Sequence, residues 1–246
     1  MGPGSREPTA AIGGDPMANT LRPILHIADT EDAVIEKLAQ FIQVAAEAAV
    51  ARHGRFDIAL SGGQTPRALY ALLAERHAET MPWQQTHFFF GDERYVPHDD
   101  PQSNARMAAE AMLDRVPTPR EQVHPMPTHH ANPADAADEY EACLRRHFST
   151  RPPHFDLILL GIGADGHTAS LFPNAPVLDE RARWVAPSEG PTEPRVRLSL
   201  TYPVLNAAHL IAFLALGADK TGPVGAALSY HPDRHTTPAA GVRPTD

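Results

Sequence analysis

Apolar residues follow two alternating patterns along this chain: short unbroken runs, and longer stretches with an apolar position every three or four residues. The runs predict buried strands at Phe56–Leu60 (FDIAL), Thr86–Phe90 (THFFF) and Phe155–Leu160 (FDLILL). Further strands are expected at Pro23–Ala28, Arg183–Ala186, Arg195–Leu200 and His209–Leu216. Helical spacing is clearest over Glu31–His53, where Val34, Leu38, Phe41, Ile42, Ala45 and Ala49 share a face. Gly54 stands where a left-handed residue can end that helix. Thr65-Pro66 reads as an N-cap followed by proline in the first helical position, opening a helix over Arg67–His77. Helices over Ala105–Arg115, Pro133–Phe148 and Ala218–Leu228 complete the alternation. In the second of these three, Tyr140, Cys143, Leu144 and His147 share a face, which makes Cys143 a core thiol.

Continuous apolar strands separated by helices imply a doubly wound α/β fold, a mostly parallel sheet with helices on both faces. Ligands of such sheets sit beyond the carboxyl ends of the strands. Three polar segments belong there: Ser61–Thr65, Asp92–Asn104 and Gly161–Pro173. With no internal repeat and no break in composition, residues 17–246 read as one domain. Residues 1–16 (MGPGSREPTAAIGGDP) read as an added leader or frayed tail, since they lack the basic and then apolar regions of a targeting signal, and Met17 can be the native start.

Composition narrows the function classes. The chain has 246 residues, 42% hydrophobic, with one cysteine, so Cys143 excludes an internal disulfide framework and a cysteine-based zinc cluster and suits a reducing cytoplasm. Its 21 basic and 30 acidic side chains give a net charge of −9, against a nucleic-acid partner. The apolar run Leu210–Leu216 is too short to span a bilayer, and no membrane partner is expected. A small anion remains open as a ligand, if a few basic side chains and backbone N–H groups converge on it.

Ser61-Gly62-Gly63 joins a strand to a helix, and free N–H groups at a helix start can cradle phosphate. The same glycines can equally serve backbone geometry alone, and the segment lacks the Gly-Lys-Ser/Thr of a nucleotide loop. Gly161–Gly166 (GIGADG) matches a dinucleotide fingerprint formally, yet Pro173 stops any helix that would follow. The better reading centres on His167, a strand-end imidazole suited to proton transfer, with Asp165 placed to hold one tautomer. A histidine that merely caps the turn is the other reading. Arg94 in Asp92-Glu93-Arg94 can bind phosphate or carboxylate bidentately, or sit in a solvated charge cluster. Lys220, after the last strand, can reach an anion at the strand ends or simply face solvent; Arg195 and Arg197 alternate along one strand and face the same way, as an edge-strand face also would have them. His124, His129, His130, His231 and His235 read as surface-loop residues.

FDIALSGGQTPRALY, HFFFGDERYVPHDDPQSNARM, FDLILLGIGADGHTASLFPN and RVRLSLTYPVLNAAHLIAFLALGADK, in this order, resemble 6-phosphogluconolactonases over Leu21–Lys220. The resemblance implies the fold shared with glucosamine-6-phosphate deaminase and ribose-5-phosphate isomerase. It also implies hydrolysis of a phosphorylated sugar lactone without metal or organic cofactor, by a monomer or weak homodimer. On this resemblance His167 is the catalytic base, Asp165 its orienting acid, and Ser61, Gly62 and Gly63 the sugar-phosphate loop. Arg94 holds substrate or oxyanion, and Arg195 or Arg197, with Lys220, contacts phosphate. Family members usually continue past VRPTD, so the domain is expected to lack its usual C-terminal end. The deaminases carry a Phe-Asn-Glu-Pro type segment after the histidine, where this chain has Thr168-Ala169-Ser170-Leu171-Phe172-Pro173. A non-catalytic effector domain is disfavoured because nothing before Pro23 is long or basic enough to form a helix-turn-helix.

Overall fold

A computed structural model describes residues 23–149 and 152–244. The leader assigned to residues 1–16 lies outside them. Helix α1 spans Glu31–His53; the Thr30 hydroxyl accepts from the Ala33 N–H, and Gly54 closes the helix at φ 87°. Its buried face is Ile35, Ala39, Ile42, Ala46 and Ala49. The stripe is therefore rotated from the one expected. Alanines let the helix approach the sheet closely, Val34, Leu38 and Ala45 pack at its margin, and Phe41 faces solvent.

Strands β1 (Phe56–Leu60) and β2 (Thr86–Phe90) flank helix α2 (Gln64–Arg76) in sequence, and β3 (Asp92–Arg94) follows β2 after Gly91. Helices α3 (Asn104–Ala111) and α4 (Pro133–His147) precede β4 (Leu157–Leu160). The rest of the described chain forms β5 (Val185–Glu189), β6 (Val196–Leu200), the short helix α5 (Tyr202–Leu205), β7 (Ile211–Phe213) and α6 (Thr221–Ala227).

Four strands make a parallel sheet in the order β2-β1-β4-β7. The central strands β1 and β4 are buried throughout, as continuous apolar runs require when both faces are covered. Chain order reverses between them: β2 lies on one side of β1, and β4 and β7 on the other. That reversal opens a crevice beyond the carboxyl ends of β1 and β4. A second, antiparallel sheet β3-β6-β5 stands beside it.

Four expectations are corrected. Residues 23–28 form no strand; Ile24, Leu25 and Ile27 lie exposed, because an apolar run alone does not supply a pairing partner. The segment after Gly91 is not all loop, since its first three residues pair with β6. Helix α2 starts at Gln64 with Gly63 as its N-cap, ahead of the Thr65 cap expected. Cys143 is half-buried rather than core, while Tyr140 and Leu144 on the same helix are fully enclosed. Among the described residues no helix is long and apolar enough to cross a membrane.

Candidate active site

Three connections leave the carboxyl ends of the strands. β1 delivers Ser61, Gly62 and Gly63; β4, its hydrogen-bonded neighbour, delivers Gly161 to His167. Neighbouring strands run about 4.8 Å apart, so the two motifs leave the sheet side by side. From the second sheet, β3 brings Asp92, Glu93 and Arg94.

His167 and Asp165 form a pair. The Asp165 Oδ1 lies 2.6 Å from His167 Nδ1 and accepts the His167 backbone N–H at 3.1 Å. Partial burial would raise the Asp165 carboxyl, but these bonds outweigh it and hold the group below its ordinary value. An ionised Asp165 fixes the proton of a neutral imidazole on Nδ1, which leaves Nε2 to accept another. The ring packs on Phe172, centroids 4.7 Å apart, with about a third of the His167 side chain open to solvent. The loop is set by Gly163 N–H to His167 O at 2.9 Å, by Gly166 at φ 82°, and by the Thr168 hydroxyl to Gly161 O at 2.8 Å. A methyl on Gly163 would stand 2.0 Å from His167 Nδ1 and 2.6 Å from Asp165 Oδ1. Glycine at 163 is what lets the pair close.

At the other motif, Ser61 is buried and tied at both backbone groups to the Tyr70 hydroxyl, which accepts from Ser61 N–H at 2.9 Å and donates to Ser61 O at 2.8 Å. Gly63 has φ 107°, and no side chain caps the α2 N-terminus. A cavity of about 150 Å³ opens there, lined by Gly63, Gln64, Arg67, Arg94, Ser103 and Asn104 among others. Arg94 Nη1 donates to Gln102 O at 2.8 Å on its wall.

Sequence reasoning missed the residues that join these parts. Asp92 and Glu93 are buried, not solvated. Glu93 accepts the N–H groups of Arg94, Asn104 and Ala105 at 2.7–2.8 Å and the Ser103 hydroxyl at 3.1 Å, bracing the start of α3; burial still raises its carboxyl. Asp92 Oδ2 accepts the Ser170 hydroxyl at 2.6 Å, and Ser170 N–H donates to Ser199 Oγ at 3.2 Å. The Asn104 amide donates to Asp92 O at 2.9 Å, and its oxygen sits over Gly62, where a methyl would meet it at 1.9 Å. Ser103-Asn104, a cap signal eleven residues after the first buried acid, was the available clue.

The two strand arginines separate. Arg197 is buried in β6, paired in register with Arg94, and its guanidinium donates to Pro194 O. Burial first and the Arg94 charge second lower its pKa. Arg195 precedes β6 and is exposed, whereas Arg197 is buried. Lys220 closes a single turn after β7, the neighbour of β4, with Nζ 3.2 Å from Asp219 Oδ2.

The family described as glucosamine-6-phosphate isomerases/6-phosphogluconolactonase matches residues 29–246. The chain belongs to that family. A 6-phosphogluconolactonase of Synechocystis is 40% identical over 227 residues, covering 91% of this chain and 92% of the relative. One of Nostoc is 38% identical over the same shares. Among solved structures, 6-phosphogluconolactonase from Trypanosoma cruzi superposes with TM-score 0.83 at 28% identity, covering 92% of each chain. That of Thermotoga maritima gives 0.77 at 31% identity, covering 87% of this chain and 93% of the other. The family's fold is thus the one seen here, down to the parallel sheet flanked by helices.

Proposed function

We propose that this chain hydrolyses 6-phospho-D-glucono-1,5-lactone to 6-phospho-D-gluconate, the lactonase step of the oxidative pentose phosphate pathway. Family membership and the named lactonases at 38–40% identity over most of the chain support the reaction. The His167–Asp165 pair at the β4 carboxyl end carries the mechanism. His167 Nε2 takes a proton from a water that attacks the lactone carbonyl, while Asp165 steadies the imidazolium. The tetrahedral oxyanion collapses, the C1–ring-oxygen bond breaks, and His167 returns the proton to that oxygen. A strained cyclic ester needs no more than this, since general base catalysis supplies about 10²–10⁴-fold.

The phosphate tail is assigned to the uncapped α2 N-terminus at Gly63, with Ser61 and Gly62 shaping the turn and Arg94 at its wall; a helix start with unpaired N–H groups attracts such an anion. Arg197 and Lys220 are the further basic contacts proposed, and Arg195, exposed outside the strand, is the weaker of the two arginines for that role. Purified protein should turn over freshly generated lactone in an assay coupled to 6-phosphogluconate dehydrogenase, and His167→Asn should lose about 10²-fold or more in kcat while still binding product. Ammonia release from glucosamine 6-phosphate without lactone turnover would overturn the reaction; wild-type turnover by His167→Asn would overturn the role of that ring.

A further inference from the structure

We propose that His87, His124 and His147 form a site for a divalent cation of the zinc class, at the opposite end of the sheet from the lactone crevice. One nitrogen of each ring lies within 4.8 Å of the others. His87 is the second residue of β2; His124 hangs on a segment pinned to β2 by its own N–H to Phe88 O at 2.8 Å; His147 ends α4. Three elements remote in sequence thus turn their imidazoles to one point.

The spacing suits an ion. His87 Nδ1 and His124 Nε2 are 3.2 Å apart. Two nitrogens on a tetrahedral zinc, each at about 2.0–2.1 Å, stand roughly 3.3 Å apart. An outer shell is also in place: buried Asp57 holds His147 Nε2 at 2.7 Å and is itself held by Arg55 at 2.8 Å. A carboxylate on the far nitrogen of a ligating histidine fixes its tautomer and ring plane. On the other side of His124, Cys143 Sγ lies 4.0 Å from Nδ1, as a neighbour of the ring rather than a fourth ligand. Phe89 stacks on His124 with centroids 4.3 Å apart and forms an apolar wall. All three residues are half-buried, which leaves a face for water in the fourth position. Imidazole donors select zinc, nickel or copper over magnesium and calcium.

Because the cluster sits at the amino-terminal ends of β1 and β2, a strand length of on the order of 15 Å separates it from the crevice. The ion would tie β2 to α4 and leave hydrolysis alone. Metal-free protein titrated with zinc chloride by calorimetry should bind one equivalent at this cluster, and zinc should raise Tm. His87→Gln and His124→Gln should each weaken that binding tenfold or more and abolish the Tm rise, while both still hydrolyse lactone at the wild-type rate. His130→Gln and Glu139→Gln, in an exposed cluster of similar spacing, should bind as wild type. Cobalt added to the wild-type protein should give the intense visible bands of a four-coordinate site, a readout that needs no variant. The proposal falls if zinc does not bind saturably, if binding survives both His87→Gln and His124→Gln, or if cobalt stays six-coordinate. None of these results bears on the lactonase assay.

Discussion

Replacing Gly163 with alanine tests the active-site geometry more sharply than removing a catalytic group. The backbone tolerates the change, because Gly163 is not among the residues at positive φ. The new methyl, however, would stand 2.0 Å from His167 Nδ1 and 2.6 Å from Asp165 Oδ1. Ordinary van der Waals contact begins at 3.4 Å, so Nδ1 must retreat by 3.4 − 2.0 = 1.4 Å, and the 2.6 Å bond to Asp165 cannot persist. A misplacement of about 1 Å at a reacting group costs on the order of 10²-fold. Gly163→Ala should therefore lose about 10²-fold in kcat for the lactone, equivalent to roughly 2.7 kcal/mol of transition-state stabilisation. Its Tm should stay within a few degrees of wild type, since a histidine with about a third of its side chain open to solvent can swing outward. Gly161→Ala supplies the control: its methyl meets nothing within 4 Å, and kcat should hold within a few-fold. Coupled kinetics and a thermal melt on the two variants settle the matter. Wild-type turnover by Gly163→Ala, or an equal loss of kcat in Gly161→Ala, would refute the claim that this glycine exists to let the pair close.

Asp165→Asn should keep the ring in place but lose its charge partner, lowering kcat by about 10²-fold or more while leaving product affinity intact, as measured by calorimetry. Gly62→Ala drives a methyl to 1.9 Å from the buried Asn104 oxygen and should cost about 1–3 kcal/mol in chemical denaturation. Adding Asn104→Ala should relieve part of that loss, a coupling that a double-mutant cycle reads directly. Acid stability should reflect His124. The unfolded chain binds a proton there near pH 6.5 and the folded protein only near about 4. Stability is thus complete above pH 6.5 and drains away as pH falls through this window. The full linkage is about 3 kcal/mol, and partial solvent access reduces it to roughly 1–2 kcal/mol. Metal-free His124→Gln should lose that slope in urea melts run between pH 7 and 4.

The elements legible in the sequence were those that periodicity alone determines. α1 runs from Glu31 to His53, and β1 and β2 occupy FDIAL and THFFF, because nothing but burial on both faces favours unbroken apolar strands. Motifs at strand ends were legible for a related reason: glycines directly after a buried strand mark a backbone that must turn at the sheet edge. What pattern could not show is pairing across the fold. PILHIA at residues 23–28 has strand composition and no partner. Asp92 and Glu93 look like solvent-facing acids until Ser103, α3 and Ser170 supply five donor contacts to their carboxylates from elsewhere in the chain. His87, His124 and His147 are 37 and 23 residues apart, spacings with no period, so only the tertiary packing brings them together.

The crevice also departs from local rules at two adjacent points, and the departures have a common sense. α2 begins without a side-chain cap on a glycine at φ 107°, a backbone conformation that keeps the usual capping residues Ser, Thr, Asp and Asn out of that place. Beside it, the Asn104 amide spends its N–H₂ on Asp92 and leaves a buried oxygen with no donor. Both lie on the wall of the same cavity as Arg94 and Arg67. A fold that brings two buried carboxylates to satisfaction nearby does not leave these groups open for want of hydrogen-bonding partners. Uncapped N–H groups at a helix start suit an anion, the role proposed for this turn. A carboxylate at position 64, the first residue of α2, would put the protein's own charge at the helix terminus without straining Gly63. Gln64→Glu should therefore raise KM for the lactone far more than it lowers kcat, whereas a purely structural turn would leave KM unchanged.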